Sequence, residues 1–275
     1  MTHTAVVGCG IMGSGIAFVA RAAGFPVTAV EPSDELAAAA HERVERHEAQ
    51  ARKRGADLSD LASLDLTTDL AAAVSGADLV VEAVPEDLDL KREVFAALGT
   101  AADDETVIAS NTSGLSIEEL GSASGRSSQV VGLHFFNPVP AMRLVEVVRA
   151  PDTSDATVAR GIDFARAVGK ETVEVRDMPG FVTTRLGTVL MCEAIRAYEQ
   201  GVASAEHVDT AMKLGYNHPM GPLELADRIG LDTVLFVLDD LHEAYGEAFS
   251  PPPLLRRMVE EGRLGRKSGA GFYDY

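Results

Sequence analysis

The sequence predicts an α/β fold, a doubly wound parallel sheet over about residues 1–178, followed by a smaller all-helical domain over 179–275. Three observations carry that expectation. Short β-type runs alternate with helical ones through the first half, the order that gives parallel strands joined by crossovers. The β-type runs are nearly continuous in apolar residues instead of alternating, as expected of strands covered by helices on both faces. At "RDMPG" the pattern changes, and from Pro179 onward almost every segment has helical period.

Taken in order, the first half reads strand "TAVVGCG", helix "GIAFVARAAG", strand "PVTAVE", and the long helical "ELAAAAHERVERHEAQARKRG". Then come "ADLVVEAV", "LKREVFAALGTAA", "TVIASN", "SIEELGSAS", "VVGLHFF" and "LVEVVRA", and finally helix "ATVARGIDFARAVG" with a last strand "ETVEV". The second half reads as helices "GFVTTRLGTVLMCEAIRAYEQG", "ASAEHVDTAMKLG", "GPLELADRIGLDTVLFVLDDLHEAYG" and "PLLRRMVEEGRLG".

Bulk properties narrow the function. The chain has 275 residues and is 46% hydrophobic, enough for a large buried core. Its apolar runs stop well short of the roughly 18 residues of a membrane span, and no basic leader precedes the first strand, so a cytoplasmic protein is expected. A net charge of −18 disfavours nucleic acid and anionic membranes, which need a basic field. An acidic small molecule would need local basic residues, and "QARKRG" at 50–55 and "LKRE" at 90–93 are the clusters available; either also suits a solvated helix face. Cys9 and Cys192 are far apart with no metal-type spacing, so neither a disulfide nor a metal site is expected.

The strongest local signal follows the first strand: Gly8, Cys9, Gly10, Ile11, Met12, Gly13, Ser14, Gly15. A lone GxGxxG is weak evidence, but one between a strand and a helix is the dinucleotide fingerprint of a Rossmann-type domain. Gly8 permits the tight turn, Gly10 lets backbone approach a pyrophosphate, and Gly13 lets helix and strand pack closely, with the phosphates at the helix N-terminus. Glu31, at the end of the next strand, stands where a carboxylate accepts from the adenosine ribose hydroxyls; it would repel a 2′-phosphate, so the expected cofactor is NAD.

The stretch "LHFFNPVPAMRLVEVV", 133–148, places His134 and Glu146 in one apolar run. An ionisable side chain is costly to bury alone, so the two are expected to pair. The prolines of "NPVP" each fix φ and press the preceding residue toward extended backbone, making a rigid non-helical link between His134 and the "LVEVV" strand. Histidine is the side chain whose ordinary pKa suits proton transfer at neutral pH, and a carboxylate paired with it would fix its ring tautomer.

Together with "GCGIMGSGIA", "EAVPEDLDLK", "SNTSGLSI", "DMPGFV", "NHPMGPLELAD" and "GRLGRKSGAGFYDY", this stretch resembles the L-3-hydroxyacyl-CoA dehydrogenases, closest to the short bacterial 3-hydroxybutyryl-CoA form, over essentially the whole chain. The resemblance implies reversible NAD-dependent oxidation of an L-3-hydroxyacyl thioester, with His134 as the base and Glu146 as its partner. It further implies that Ser113 touches substrate oxygen and cofactor, that Asn137 contacts the nicotinamide half, and that Glu86, Lys91 and Lys267 contact the cofactor. Glu86, Lys91 and Lys267 also read as ordinary surface charges, and "SNTSG" alone reads as a turn with a helix cap.

Two departures from the family stand out. The segment between Glu31 and "TTDL" is a few residues shorter. Thr184, in "PGFVTTR", replaces the asparagine that reaches the substrate in the family. An acyl-CoA substrate and a homodimer are expected. The same chemistry on an acyl-carrier-protein thioester, and a non-catalytic NAD-binding protein derived from the family, are the alternatives.

Overall fold

The computed structural model describes residues 3–275, which divide into two compact units between Met178 and Pro179. The first unit runs β1 (Thr4–Val7), α1 (Ile11–Ala22), β2 (Val27–Val30), α2 (Asp34–Lys53), β3 (Leu64–Thr67), α3 (Leu70–Val74), β4 (Leu79–Glu82) and α4 (Leu88–Ala101). It continues with β5 (Val107–Ser110), α5 (Ile117–Ser124), β6 (Val130–Phe135), β7 (Leu144–Arg149), α6 (Asp155–Ala167) and β8 (Glu171–Arg176). All eight strands form one sheet in the order β3-β2-β1-β4-β5-β6-β7-β8. Strands β1 to β6 are mutually parallel in the doubly wound order, with the reversal of winding between β1 and β4.

Local chemistry sets the helix starts. Ser33, Asp87, Ser116 and Ser154 each accept a backbone N–H from the first turn of α2, α4, α5 and α6, which satisfies a donor the helix cannot. Helix α2 adds acidic residues at its start and Arg52 and Lys53 at its end, matching the helix dipole. Strands β1, β4 and β5 are buried at every position, so their continuous apolar runs have helices to face on both sides. Their side chains join Ile16, Phe18, Leu133, Val147 and Phe164 in one core.

Four features differ from the sequence expectation. The run expected as one helix over 221–246 is broken at Gly230, which has φ +109°. Strand β3 and the short α3 carry no clear sequence signal, because "LDLT" is only four residues long at the sheet edge and half-buried at best. Strand β7 runs antiparallel to β6, so the last two strands break the parallel rule. Glu31 lies one residue beyond β2.

The second unit is helical: α7 (Thr183–Glu199), α8 (Ala205–Gly215), α9 (Pro222–Ile229), α10 (Leu231–Tyr245) and α11 (Pro253–Glu260). Its core gathers Cys192, Ile195, Leu223, Leu231, Leu238 and Leu255. Asp209, buried in α8, accepts from the N–H groups of Leu223 (2.8 Å) and Glu224 (2.9 Å) at the start of α9 and from the Tyr273 hydroxyl (2.7 Å), tying the chain end to the bundle. Among the described residues no helix is long and apolar enough to cross a membrane.

Candidate active site

The turns that follow β1, β2, β4 and β5, and the last residues of β6, all lie at the carboxyl edge of the sheet, where ligands of such folds bind. The glycine loop is built by close approach. Gly8 has φ +83°, and a Cβ there would lie 2.8 Å from the Val84 nitrogen; a Cβ on Gly13 would lie 1.9 Å from the Gly8 carbonyl oxygen. Gly10 faces open space. Only glycine fits the first two positions, and the third leaves backbone N–H groups approachable.

This loop forms one wall of a cleft of about 560 Å3, lined also by Val30, Glu31, Leu36, Arg43, Val84 and Leu90. Glu31 is nearly buried, and one of its carboxylate oxygens accepts the Cys9 N–H at 2.7 Å. Its charge is therefore fixed at the cleft by the loop itself. Burial, reinforced by Glu31 and opposed by Arg43, pushes the Cys9 thiol up to about 12, so it stays protonated and inert. An apolar-walled cleft beside a glycine cradle and a fixed carboxylate fits the adenosine half of a dinucleotide. Arg43 belongs to this cleft without any motif to announce it, because it arrives on one face of α2.

Beyond β4 the acidic and basic residues form a buried network. The Lys91 ammonium, 1% exposed, donates to Glu82 Oε1 at 2.6 Å and to the Val84 carbonyl at 3.2 Å. Glu82, itself fully buried, also accepts from the Val84 N–H (2.7 Å) and the Ser110 hydroxyl (2.7 Å). Lys91 lies 3.4 Å from Glu86, whose other oxygen accepts from the Thr112 hydroxyl (2.6 Å) and the Ser113 N–H (2.8 Å). Lys91 is thus no surface charge. It braces the turn after β4, and Glu86 braces the "SNTSG" turn after β5, leaving Ser113 exposed.

His134 and Glu146 are direct cross-strand neighbours on antiparallel β6 and β7. Both are buried, and His134 Nδ1 lies 2.8 Å from Glu146 Oε2. A carboxylate can only accept, so Nδ1 carries the proton and Nε2 is the basic nitrogen of the neutral ring. The Phe136 ring packs on the imidazole at 4.4 Å between centroids. Asn111, which carried no role in the sequence reading, accepts the Phe135 N–H through its side chain at 3.0 Å and so docks the end of β5 onto β6 beside His134. Asn137 is exposed at the head of the β6–β7 loop, joined to Pro138 by a cis peptide.

Ile11 is exposed, and Met12 packs against the core at the start of α1. Thr184 and Lys267 belong to the second unit. Thr184 is half-buried in the first turn of α7, and the half-exposed Lys267 ammonium pairs with Asp232 at 2.6 Å.

Comparison with known proteins bears on this geometry. The family model described as 3-hydroxyacyl-CoA dehydrogenase, NAD binding domain, matches residues 3–178, and the C-terminal domain model of the same family matches 180–275. A probable 3-hydroxybutyryl-CoA dehydrogenase of Deinococcus radiodurans is 44% identical, covering 98% of this chain and 99% of that protein. The mitochondrial hydroxyacyl-coenzyme A dehydrogenase of Sus scrofa is 43% identical over 99% of this chain and 91% of its own. Among solved structures, FadB2 of M. tuberculosis superposes with TM-score 0.95 at 43% identity, covering 100% of this chain and 99% of that chain. The (S)-3-hydroxybutyryl-CoA dehydrogenase PaaH1 of Ralstonia eutropha has TM-score 0.95 at 37% identity with the same coverage. With both domain models matched end to end and relatives above 40% identity over nearly the full length, the chain belongs to the 3-hydroxyacyl-CoA dehydrogenase family.

Proposed function

We propose that this protein catalyses the reversible NAD-dependent oxidation of an L-3-hydroxyacyl-CoA, 3-hydroxybutyryl-CoA or a close homologue, to the 3-oxoacyl-CoA. The observation that carries the reading is the buried His134–Glu146 pair at the same sheet edge as the glycine cradle. In oxidation, His134 Nε2 takes the hydroxyl proton while the C–H electron pair leaves as hydride, and Glu146 stabilises the resulting imidazolium. Bound NAD supplies the hydride acceptor. In reduction His134 returns the proton to the new alkoxide oxygen. The Ser113 hydroxyl, on a turn stiffened by Glu86, hydrogen-bonds the reacting oxygen.

The residues proposed to hold NAD are Gly8, Gly10, Ile11, Met12, Gly13 and Glu31 on the adenosine and pyrophosphate side, Asn137 at the nicotinamide half, and Glu86, Lys91, Ser113 and Lys267 as further cofactor contacts. Lys91 acts there through Glu86 and Val84, since its own ammonium is enclosed. A homodimer is proposed through the second unit, where exposed Leu186, Leu214, Tyr216 and Phe236 favour association. Steady-state kinetics on a chain-length series of 3-oxoacyl-CoA thioesters, with matched acyl-carrier-protein thioesters beside them, tests the reaction and the carrier; no turnover on any of them would sink the reading.

Cofactor choice follows from Glu31. A 2′-phosphate beside a carboxylate fixed at the cleft meets like-charge repulsion, so kcat/KM for NADH is expected to exceed that for NADPH by roughly tenfold or more. Arg43 lines the same cleft and limits the ratio. Equal values for the two nucleotides would move the ribose contact away from Glu31.

Thr184 offers one hydroxyl on a short branched stem where an asparagine offers two donors and an acceptor on a longer arm. Thr184→Asn is expected to raise kcat/KM for acetoacetyl-CoA a few- to tenfold, the worth of one neutral hydrogen bond of about 0.5 to 1.5 kcal/mol. If threonine is instead fitted to a different acyl group, the same change lowers activity on that thioester. A variant unchanged on every thioester removes Thr184 from the substrate site.

A further inference from the structure

The loop between Phe136 and Arg143 carries the chain from His134 on β6 to Glu146 on β7, so its shape governs what lies beside that pair. It is seated on two sides. On one, Val139 is buried against the first turns of α1, so close that a Cβ on Gly15 would lie 2.8 Å from the Val139 Cβ. On the other, Lys170 enters from the turn between α6 and β8, and its ammonium donates to the carbonyl oxygens of Val139 (2.6 Å) and Met142 (2.8 Å).

Lys170 is only 8% exposed, and among the described residues it forms no ion pair. Burial holds its pKa below the ordinary lysine value. A desolvated ammonium persists only where other groups replace its water, and here two backbone carbonyls do so. The root of the side chain is equally fixed. The Lys170 N–H donates to the Ala165 carbonyl at 2.9 Å, and the next residue, Glu171, donates its N–H to the Arg143 carbonyl at 2.7 Å, at the exit of the loop. Inside the loop the N–H groups of Ala141 and Met142 both donate to the Pro138 carbonyl, closing a tight turn whose outward carbonyls Lys170 collects.

We propose that Lys170 is a positioning residue for the reaction: its two hydrogen bonds tie the β6–β7 loop to the turn between α6 and β8, back Val139 where it packs on α1, and so hold Asn137 in the stance that receives the nicotinamide end. The inference rests on the dehydrogenase reading, and it concerns cofactor affinity and not the proton transfer at His134. Lysine suits the task because a flexible arm with three donors reaches two carbonyls that face one point.

The test compares Lys170→Met and Lys170→Gln in the full chain. NADH binding without thioester is read by nucleotide fluorescence, kcat and KM with acetoacetyl-CoA by steady-state rates, and folding by thermal melting. Lys170→Met is expected to bind NADH roughly three- to tenfold more weakly, to raise the KM for NADH in step, and to leave the pH midpoint of the rate unchanged. Lys170→Gln keeps an NH2 donor on a shorter arm and is expected to recover part of the loss. A Lys170→Met protein that melts earlier yet binds NADH within twofold of wild type overturns the proposal and leaves Lys170 a structural residue. Should Lys170→Met fail to fold, Lys170→Gln decides in the same way: binding weakened roughly two- to fivefold supports the clamp, and wild-type binding overturns it. Absence of thioester turnover in the unmutated protein would count against the dehydrogenase reading alone, because the NADH titration stands without it.

Discussion

His134→Gln is expected to lose roughly 10²- to 10⁴-fold in kcat, the usual contribution of a positioned general acid–base, while NADH affinity and thermal stability stay near those of the unmutated protein. Glutamine suits the test because its amide can still donate to Glu146, so the fully buried carboxylate keeps a partner and the fold is not penalised for an unpaired charge. What is lost is a group that can take and return a proton. Glu146→Gln, the companion change, leaves the ring but removes the charge that stabilises the imidazolium, and a loss of at least roughly tenfold is expected. A His134→Gln enzyme with near-full turnover would remove the base from the mechanism.

The two strongest features of this site differ in how far sequence alone could reach them. The glycine loop is local: strand, tight turn and helix are consecutive, so the fingerprint and its steric logic can be read within one short run, and the clash of a Cβ on Gly13 with the Gly8 carbonyl is what that logic anticipates. The His134–Glu146 pair is only half local. Two ionisable residues in one apolar run point to a pair, but their contact depends on β7 turning back antiparallel to β6, against the parallel habit of the preceding strands. The rest is tertiary. Arg43 reaches the cleft because of how one face of α2 packs, and no spacing encodes that. Nothing in the sequence marks Lys91 or Lys170 as buried, since lysine seldom is, and only Glu82 at the end of β4 and the carbonyls of the β6–β7 loop make their burial tolerable. Strand β3 was hidden because a short edge strand buries too little to leave an apolar signature.

Lys91→Met is expected to destabilise the first unit by about 3–5 kcal/mol, the cost of breaking a buried ion pair and leaving one charge behind. The stranded group is Glu82, fully buried at the end of β4. It retains the Val84 N–H and the Ser110 hydroxyl, which keeps the loss finite, but neither neutralises its charge. The same substitution frees the Val84 carbonyl and removes the cation 3.4 Å from Glu86, so the turn that holds the Ser113 N–H slackens and kcat falls along with stability. Urea denaturation gives the stability change from the shift in midpoint at constant slope. The double variant Glu82→Gln/Lys91→Met separates charge from packing: with no carboxylate left to strand, it is expected to be more stable than the sum of the single changes predicts by at least about 1 kcal/mol. A Lys91→Met protein within about 1 kcal/mol of the unmutated chain would mean that Glu82 is adequately held by its two neutral donors, and that the buried lysine serves the cofactor turn without bearing on the fold.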